Sequence, residues 1–187
     1  MILSLKKVVA MTVIVSLLGV AGAFGLRTLS FREIIGPIEA ETICGPIKLT
    51  VRLDKNTFSL GEEVNVTVTI TNISNETILL SYAHLPKIDF AVYDSSSKGI
   101  YTFSGTHGFL AVEAGIVLEA SESWGAHTKW NQQRVIGRYE LQSVDSGNYY
   151  IAGRTGPGLH YLGPADEHEN GLEKIMVETP TIEIQIF

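Results

Sequence analysis

Between Leu49 and Leu80 the chain reads LTVRLDKNTFSLGEEVNVTVTITNISNETILL. At its centre Val64, Val66, Val68 and Ile70 alternate with Asn65, Thr67, Thr69 and Thr71. A period of two sends successive side chains to opposite faces of a sheet, so this is a strand with one face buried and one wet. Leu49, Val51 and Leu53 alternate with Thr50, Arg52 and Asp54 in the same way. The turns Ser59-Leu60-Gly61 and Asn72–Glu76 bracket the central strand.

Short strands continue at the spacing of an all-β domain. Thr77–Tyr82 is one. Ile88–Tyr93 is another, with Ile88, Phe90 and Val92 on one face, and Asp94–Gly99 is the polar turn behind it. Ile100–Phe103, Phe109–Val112, Ile116–Leu118, Glu122–Trp130 and Tyr149–Ala152 follow. Thr181–Phe187 closes the series, with Ile182, Ile184 and Ile186 alternating with Glu183 and Gln185. Strands in sequence without helices between them form a sandwich or a barrel. Asp145-Ser-Gly147-Asn-Tyr149 has the D-x-G-x-Y spacing of a tyrosine corner, in which the hydroxyl bonds backbone upstream. Ile151 stands where antibody-like domains place a cysteine. The expectation is a disulfide-free, immunoglobulin-like antiparallel β-sandwich over 49–187, preceded by one N-terminal transmembrane or signal helix.

That helix is Val8–Leu26, an uncharged apolar run of about the length that spans a hydrocarbon core. It follows Lys6-Lys7, which favours a cytoplasmic N-terminus, although Arg27 and Arg32 on the far side balance that charge. Ala21-Gly22-Ala23 has the small-x-small form of a signal-peptidase site. Residues 1–26 are therefore a cleaved signal peptide or a signal anchor, with the anchor preferred; either exports the remainder. The expected location is a single-pass cell-membrane protein with its C-terminal domain extracytoplasmic, secreted if the leader is cleaved. Residues 27–48, punctuated by Gly36-Pro37 and Gly45-Pro46, read as a linker. Asn65-Val-Thr67, Asn72-Ile-Ser74 and Asn75-Glu-Thr77 are acceptor sequons, which makes Asn65, Asn72 and Asn75 glycosylation candidates.

Composition removes several classes. A net charge of -6, with no basic run beyond Lys6-Lys7, gives no footprint for nucleic acid. Cys44 is the one cysteine, so no intramolecular disulfide forms, and it reads as an unpaired linker thiol. The five histidines are scattered; His168-Glu169 is not followed by the spacing of a zinc helix, and there is no CxxC. Asp166, Glu167 and Glu169 form an oxygen-rich loop cluster, a weak calcium candidate without EF-hand spacing. No GxSxG, P-loop or complete GxGxxG is present, and Ser104 and His107 carry no mark of a nucleophile with an oriented base. No catalytic residue and no cofactor are assigned. Trp124, Tyr150 and Tyr161 have no evident core role and are the aromatic candidates for a contact surface. Gly153–Lys174 and Ser104–Gly108 are the expected contact loops.

Four pieces of the chain together carry a resemblance. They are Lys55–Asn72 with Leu60-Gly61-Glu62, then Asp89-Phe-Ala-Val-Tyr-Asp94 with Ile100 and Ser104. Leu118 through Glu122-Ser123 to Trp130-Asn131-Gln132 follows, then Gly147-x-Tyr149 with Gly153. Over Leu49–Gly153 the chain resembles the intracellular proteinase inhibitor (BsuPI-like) domain family. Ala120-Ser121 and Ser146 depart from that family's Pro-Gly positions, and Gln133–Val144 and the tail after Arg154 fit the family less well. The resemblance implies an immunoglobulin-like β-sandwich, and protease inhibition only weakly, because fold does not determine function. The resulting expectation is an exported, membrane-tethered, non-catalytic binding domain with a protein partner, either a protease or a cell-surface component. The alternatives are an extracytoplasmic serine-protease inhibitor and a structural part of a cell-surface assembly.

Overall fold

The computed structural model describes residues 32–82, 86–107, 114–138, 140–156, 159–164, 173–174 and 176–187. The expected membrane or signal helix Val8–Leu26, the strand Phe109–Val112 and the cluster Asp166, Glu167 and Glu169 lie outside them. Among the described residues no helix is long and apolar enough to cross a membrane. Residues Glu33–Phe187 form one compact unit.

Among its described residues this unit is all-β, apart from one short helical turn at Phe103–Thr106. The first sheet holds β1 (Ile35–Cys44), β2 (Ile47–Lys55), β4 (Val64–Asn72) and β9 (Ser123–Trp130), antiparallel in the order β1-β2-β4-β9. The second holds β3 (Thr57–Phe58), β6 (Ile88–Tyr93), β7 (Gly99–Thr102), β12 (Gly147–Thr155) and β15 (Ile182–Ile186), in the order β3-β15-β12-β6-β7. Its strands are antiparallel except for the β3–β15 pair. A third sheet joins β14 (Glu173–Lys174), β13 (Leu159–Pro164), β5 (Ile78–Tyr82) and β8 (Ala114–Leu118). Finally, β10 (Gln133–Gly137) and β11 (Glu140–Ser143) make a separate two-stranded ribbon.

The first two sheets pack face to face as a β-sandwich compatible with an immunoglobulin-like fold. Ile47, Leu49, Val51 and Leu53 of β2 and Val64, Val66, Val68 and Ile70 of β4 are buried, as alternation requires. Opposite them lie Phe90 and Val92 of β6, Ile151 of β12 and Ile184 of β15. Burying each such side chain stabilises the fold by about 1.5–3 kcal/mol before chain entropy is counted. The sheets meet closely at Gly153, where a Cβ would stand 2.9 Å from the Val51 Cβ.

Within the linker expected over 27–48, residues 27–31 lie outside the described residues, and Ile35–Cys44 forms β1 instead. Its residues pair with β2 from Ile38↔Leu53 to Cys44↔Ile47. The reason is packing: Ile38 and Ala40 lie partly buried against the core, while Glu39 and Glu41 reach outward to Arg52 and Lys48 at 3.6 and 3.4 Å. The Gly-Pro pairs punctuate the strand instead of replacing it. Gly36 (φ +126) sits in the bulge before Ile38, and Gly45 (φ +55) forms the tight turn into β2.

Candidate functional site

The feature that departs most from a closed sandwich is the β10–β11 ribbon. Val135 pairs with Leu141 across it. Val135, Ile136 and Leu141 are 42%, 53% and 41% exposed, large apolar groups that the core does not absorb. Arg134 spans the ribbon, its Nε and Nη2 donating to Gln142 Oε1 at 3.1 and 2.8 Å.

The ribbon stands on a rigid base. Trp130, at the end of β9, is fully buried and donates from Nε1 to the Gln133 carbonyl at 2.7 Å. Its ring meets that of Tyr149 edge-on at 5.6 Å, and the Tyr149 hydroxyl donates to the Asp145 carbonyl at 2.8 Å. Gln132 is buried in the left-handed region (φ 52). Its side chain accepts from Gly61 N at 2.7 Å and donates to the Ser59 carbonyl at 2.8 Å, while its own carbonyl accepts from Val144 N at 2.9 Å. The turn it grips is held in turn by Glu62, which accepts from Ser59 N at 2.9 Å and pairs with Lys55 at 2.6 Å. The Lys55 hydrogen bond, with that of Ser59 N, holds the Glu62 carboxyl below its ordinary value. An exposed recognition element on such an anchor loses little entropy on binding.

A second surface is the outer face of sheet two. Tyr93 and Tyr150 lie opposite each other on β6 and β12. Their hydroxyls donate to Glu178 at 2.6 Å and Glu183 at 3.2 Å. Desolvation, then the Glu178 hydrogen bond, pushes the Tyr93 phenol up to about 12; desolvation and Glu183 raise that of Tyr150.

The three aromatic candidates do not form one surface. Tyr150 belongs to the face just described. Trp124 lies partly buried on β9, with Lys87 Nζ 5.2 Å from its ring centroid. Tyr161 pairs with Leu80 through the backbone of β13. Asn65 and Asn75 are exposed, with Asn65 Nδ2 3.4 Å from Asp54. Asn72, expected as a glycan acceptor, is fully buried; its Nδ2 donates to the carbonyls of Glu76, Leu118 and Glu119, so it is removed from the acceptors. Of the expected contact loops, Gly153–Lys174 is described in part and is corrected there, since it holds the end of β12, β13 and β14. In Ser104–His107, Ser104 Oγ donates to buried Asp89 at 2.6 Å, and His107 Nδ1 meets the Phe103 carbonyl at 3.0 Å. No strand was expected over the ribbon, which falls in the Gln133–Val144 stretch that fits the family pattern less well, although the Trp130-Asn131-Gln132 triplet marks its base. Among the described residues no group of three or more His, Cys, Asp or Glu could hold a metal ion.

The family model described as intracellular proteinase inhibitor (BsuPI) matches residues 51–153, more than half of the 187-residue chain. The chain belongs to the BsuPI family. That match takes in the end of β2, all of β4 and β6, the ribbon with its Gln132 base, and most of β12. The family is one of inhibitors and not of enzymes. No curated protein matches the chain. Among solved structures, a β-glucosidase from Listeria innocua is similar at 16% identity and TM-score 0.40, over 75% of this chain and 16% of the glucosidase. The DNA glycosylase AlkC from Pseudomonas fluorescens is similar at 10% identity and TM-score 0.36, over 70% of this chain and 27% of that one. The C-terminal domain of wzt is similar at 6% identity and TM-score 0.38, over 88% and 82%. This BsuPI-family chain thus spans about a sixth of the glucosidase, and at these scores no activity or ligand carries over.

Proposed function

We propose that this BsuPI-family chain is a non-catalytic, protease-binding domain of inhibitor type whose contact element is the β10–β11 ribbon. The supporting observation is that the family match runs through the ribbon and its anchors. The physical support is the pairing of exposed Val135, Ile136 and Leu141 with a base locked by Gln132 and Trp130. A protease cleft takes extended chain by backbone pairing and by pockets for alternate side chains. Among the described residues neither ribbon strand pairs with a further strand, so each offers a backbone edge, and β10 carries Val135 and Ile136 beside it. We also hold to the tethered, extracytoplasmic placement that Val8–Leu26 suggests, in which the domain meets proteases outside the cytoplasm.

The experiment is a progress-curve assay of the full chain, purified in mild detergent, against a broad panel of serine proteases. Dose-dependent inhibition of at least one is expected, with Val135→Asp abolishing it and Tyr150→Ala leaving it intact. Inhibition of none would overturn the reading. For the placement, mass spectrometry of the membrane-bound protein should find residues 1–26 retained; their loss would overturn the tether.

A further inference from the structure

The inward face of β9 is only half covered. Trp124, Ala126 and Thr128 alternate with exposed Ser123, Gly125, His127 and Lys129, on the same face as fully buried Trp130. All three stay partly exposed because β9 is the last strand of its sheet: among the described residues its one strand partner is β4. Among the described residues no strand pairs with the backbone groups on its other edge, which an added strand could use.

Beside this edge lies a cavity of about 90 Å³, walled by Val68, Ile88, Phe103, Trp124 and Ala126. Its lining is mostly apolar, and its rim carries a cation. Lys87 Nζ stands 5.2 Å from the Trp124 ring centroid and 5.6 Å from that of Tyr82. Among the described residues no carboxylate lies within ion-pair distance of Lys87. Asp89 also lines the cavity, but its carboxylate is already engaged: Oδ1 accepts from Phe90 N and Ser104 N, and Oδ2 from Ser104 Oγ. Lys87 stands over the Tyr82 ring, whose hydroxyl is buried without a hydrogen-bond partner among the described residues.

We propose that the β9 edge takes up an extended, acidic segment of a protein partner as an added strand. The backbone of that segment pairs with β9, one small apolar side chain fills the Trp124–Phe103 cavity, and a neighbouring Asp or Glu meets Lys87. Backbone pairing supplies affinity and the cavity and cation supply selectivity. This site is separate from the ribbon and stands whether or not a protease is the ribbon's partner.

The test is selection of a random-peptide display library on the immobilised full chain, followed by titration of the enriched synthetic peptides. The expected winners carry an acidic residue beside an apolar one, quench or shift Trp fluorescence, and slow amide exchange in 124–129. Lys87→Glu should weaken them roughly tenfold and transfer preference to versions with Lys in place of the acid, since reversal turns attraction into repulsion. Ala126→Arg should block the cavity, and Val135→Asp on the ribbon should change nothing. The reversal of preference in Lys87→Glu separates a site from a fold defect, because a damaged fold would lose both classes of peptide. No enrichment, binding indifferent to Lys87→Glu, or protection of amides elsewhere than β9 would overturn the proposal.

Discussion

Gln132 holds Gly61 through one side-chain hydrogen bond of 2.7 Å, across 71 residues of chain. The same amide donates to the Ser59 carbonyl, which also accepts from Glu62 N at 3.0 Å. Replacing Gln132 by Ala removes the acceptor of the Gly61 amide and one of the two donors to the Ser59 carbonyl, and empties a buried site. Gln and Ala carry similar strain at φ 52, so the change reads the side chain alone. Gln132→Ala is expected to cost about 2–3 kcal/mol in urea unfolding. It should also speed amide exchange in the ribbon more than in β2 or β4. Equal exchange in both regions would show that the ribbon is held by something else.

Gly153 marks where the two sheets touch. An added methyl would stand 2.9 Å from the Val51 Cβ and 3.3 Å from Val68 Cγ1. Both valines are buried on paired strands, and a Cβ cannot swing away as a side-chain tip can. Gly153→Ala is expected to lower stability by about 1–3 kcal/mol through overpacking. Val51→Ala removes the Cγ methyls but keeps the Cβ, so on the Gly153→Ala background it should recover only part of the loss. A thermal-melt double-mutant cycle measures the coupling.

The all-β character was legible because β2 and β4 bury every second residue, a pattern readable without neighbours. β1 was not, because its apolar residues Ile38 and Ala40 are few and the glycines that shape its bulge and turn imitate a linker. The ribbon was hidden for a different reason. Val135 and Ile136 are adjacent and both exposed, which breaks alternation, and their support comes from Gln132 and Trp130 gripping groups distant in sequence. Tyr150 was visible as a surface aromatic, but its pairing with Tyr93 depends on the β6–β12 register. Asn72 looked like a glycan acceptor because a sequon records local sequence and not the carbonyls of Leu118 and Glu119 folded over it.

Glu62 predicts the acid limb of stability. Lys55 and the Ser59 amide hold its carboxyl below its ordinary value of 4.5. A group whose folded pKa is depressed contributes stability that is complete above the unfolded value and is lost as pH falls through the folded one. The Glu62 contribution should thus be constant at neutral pH and decline below about pH 4.5. The pair is more than one-third exposed, so it is worth under about 1 kcal/mol. Glu62→Gln should be less stable than the parent at pH 7, with the gap narrowing as pH falls below the ordinary carboxylate range. A gap that does not narrow on acidification would assign the effect to packing of the turn and not to charge.

Asn72 and Asn75 separate what a sequon says from what a fold permits. Asn75 is exposed, whereas Asn72 is fully buried between β4 and the Leu118–Glu119 carbonyls. Its Oδ1 is also taken, accepting from Ser74 N at 2.9 Å and Ser74 Oγ at 2.7 Å. A glycan on its Nδ2 would displace these donors and leave buried carbonyls unpaired, at about 1–3 kcal/mol for each group. Passed through a glycosylating secretory route, the protein should therefore carry sugar at Asn75 or Asn65 and none at Asn72. Enzymatic deglycosylation in heavy-oxygen water, with peptide mapping, reads this directly: a labelled residue 72 in folded, secreted protein would contradict the burial. Asn72→Asp should destabilise the chain more than Asn72→Ala, because it sets a carboxylate against the three carbonyls that the amide now serves.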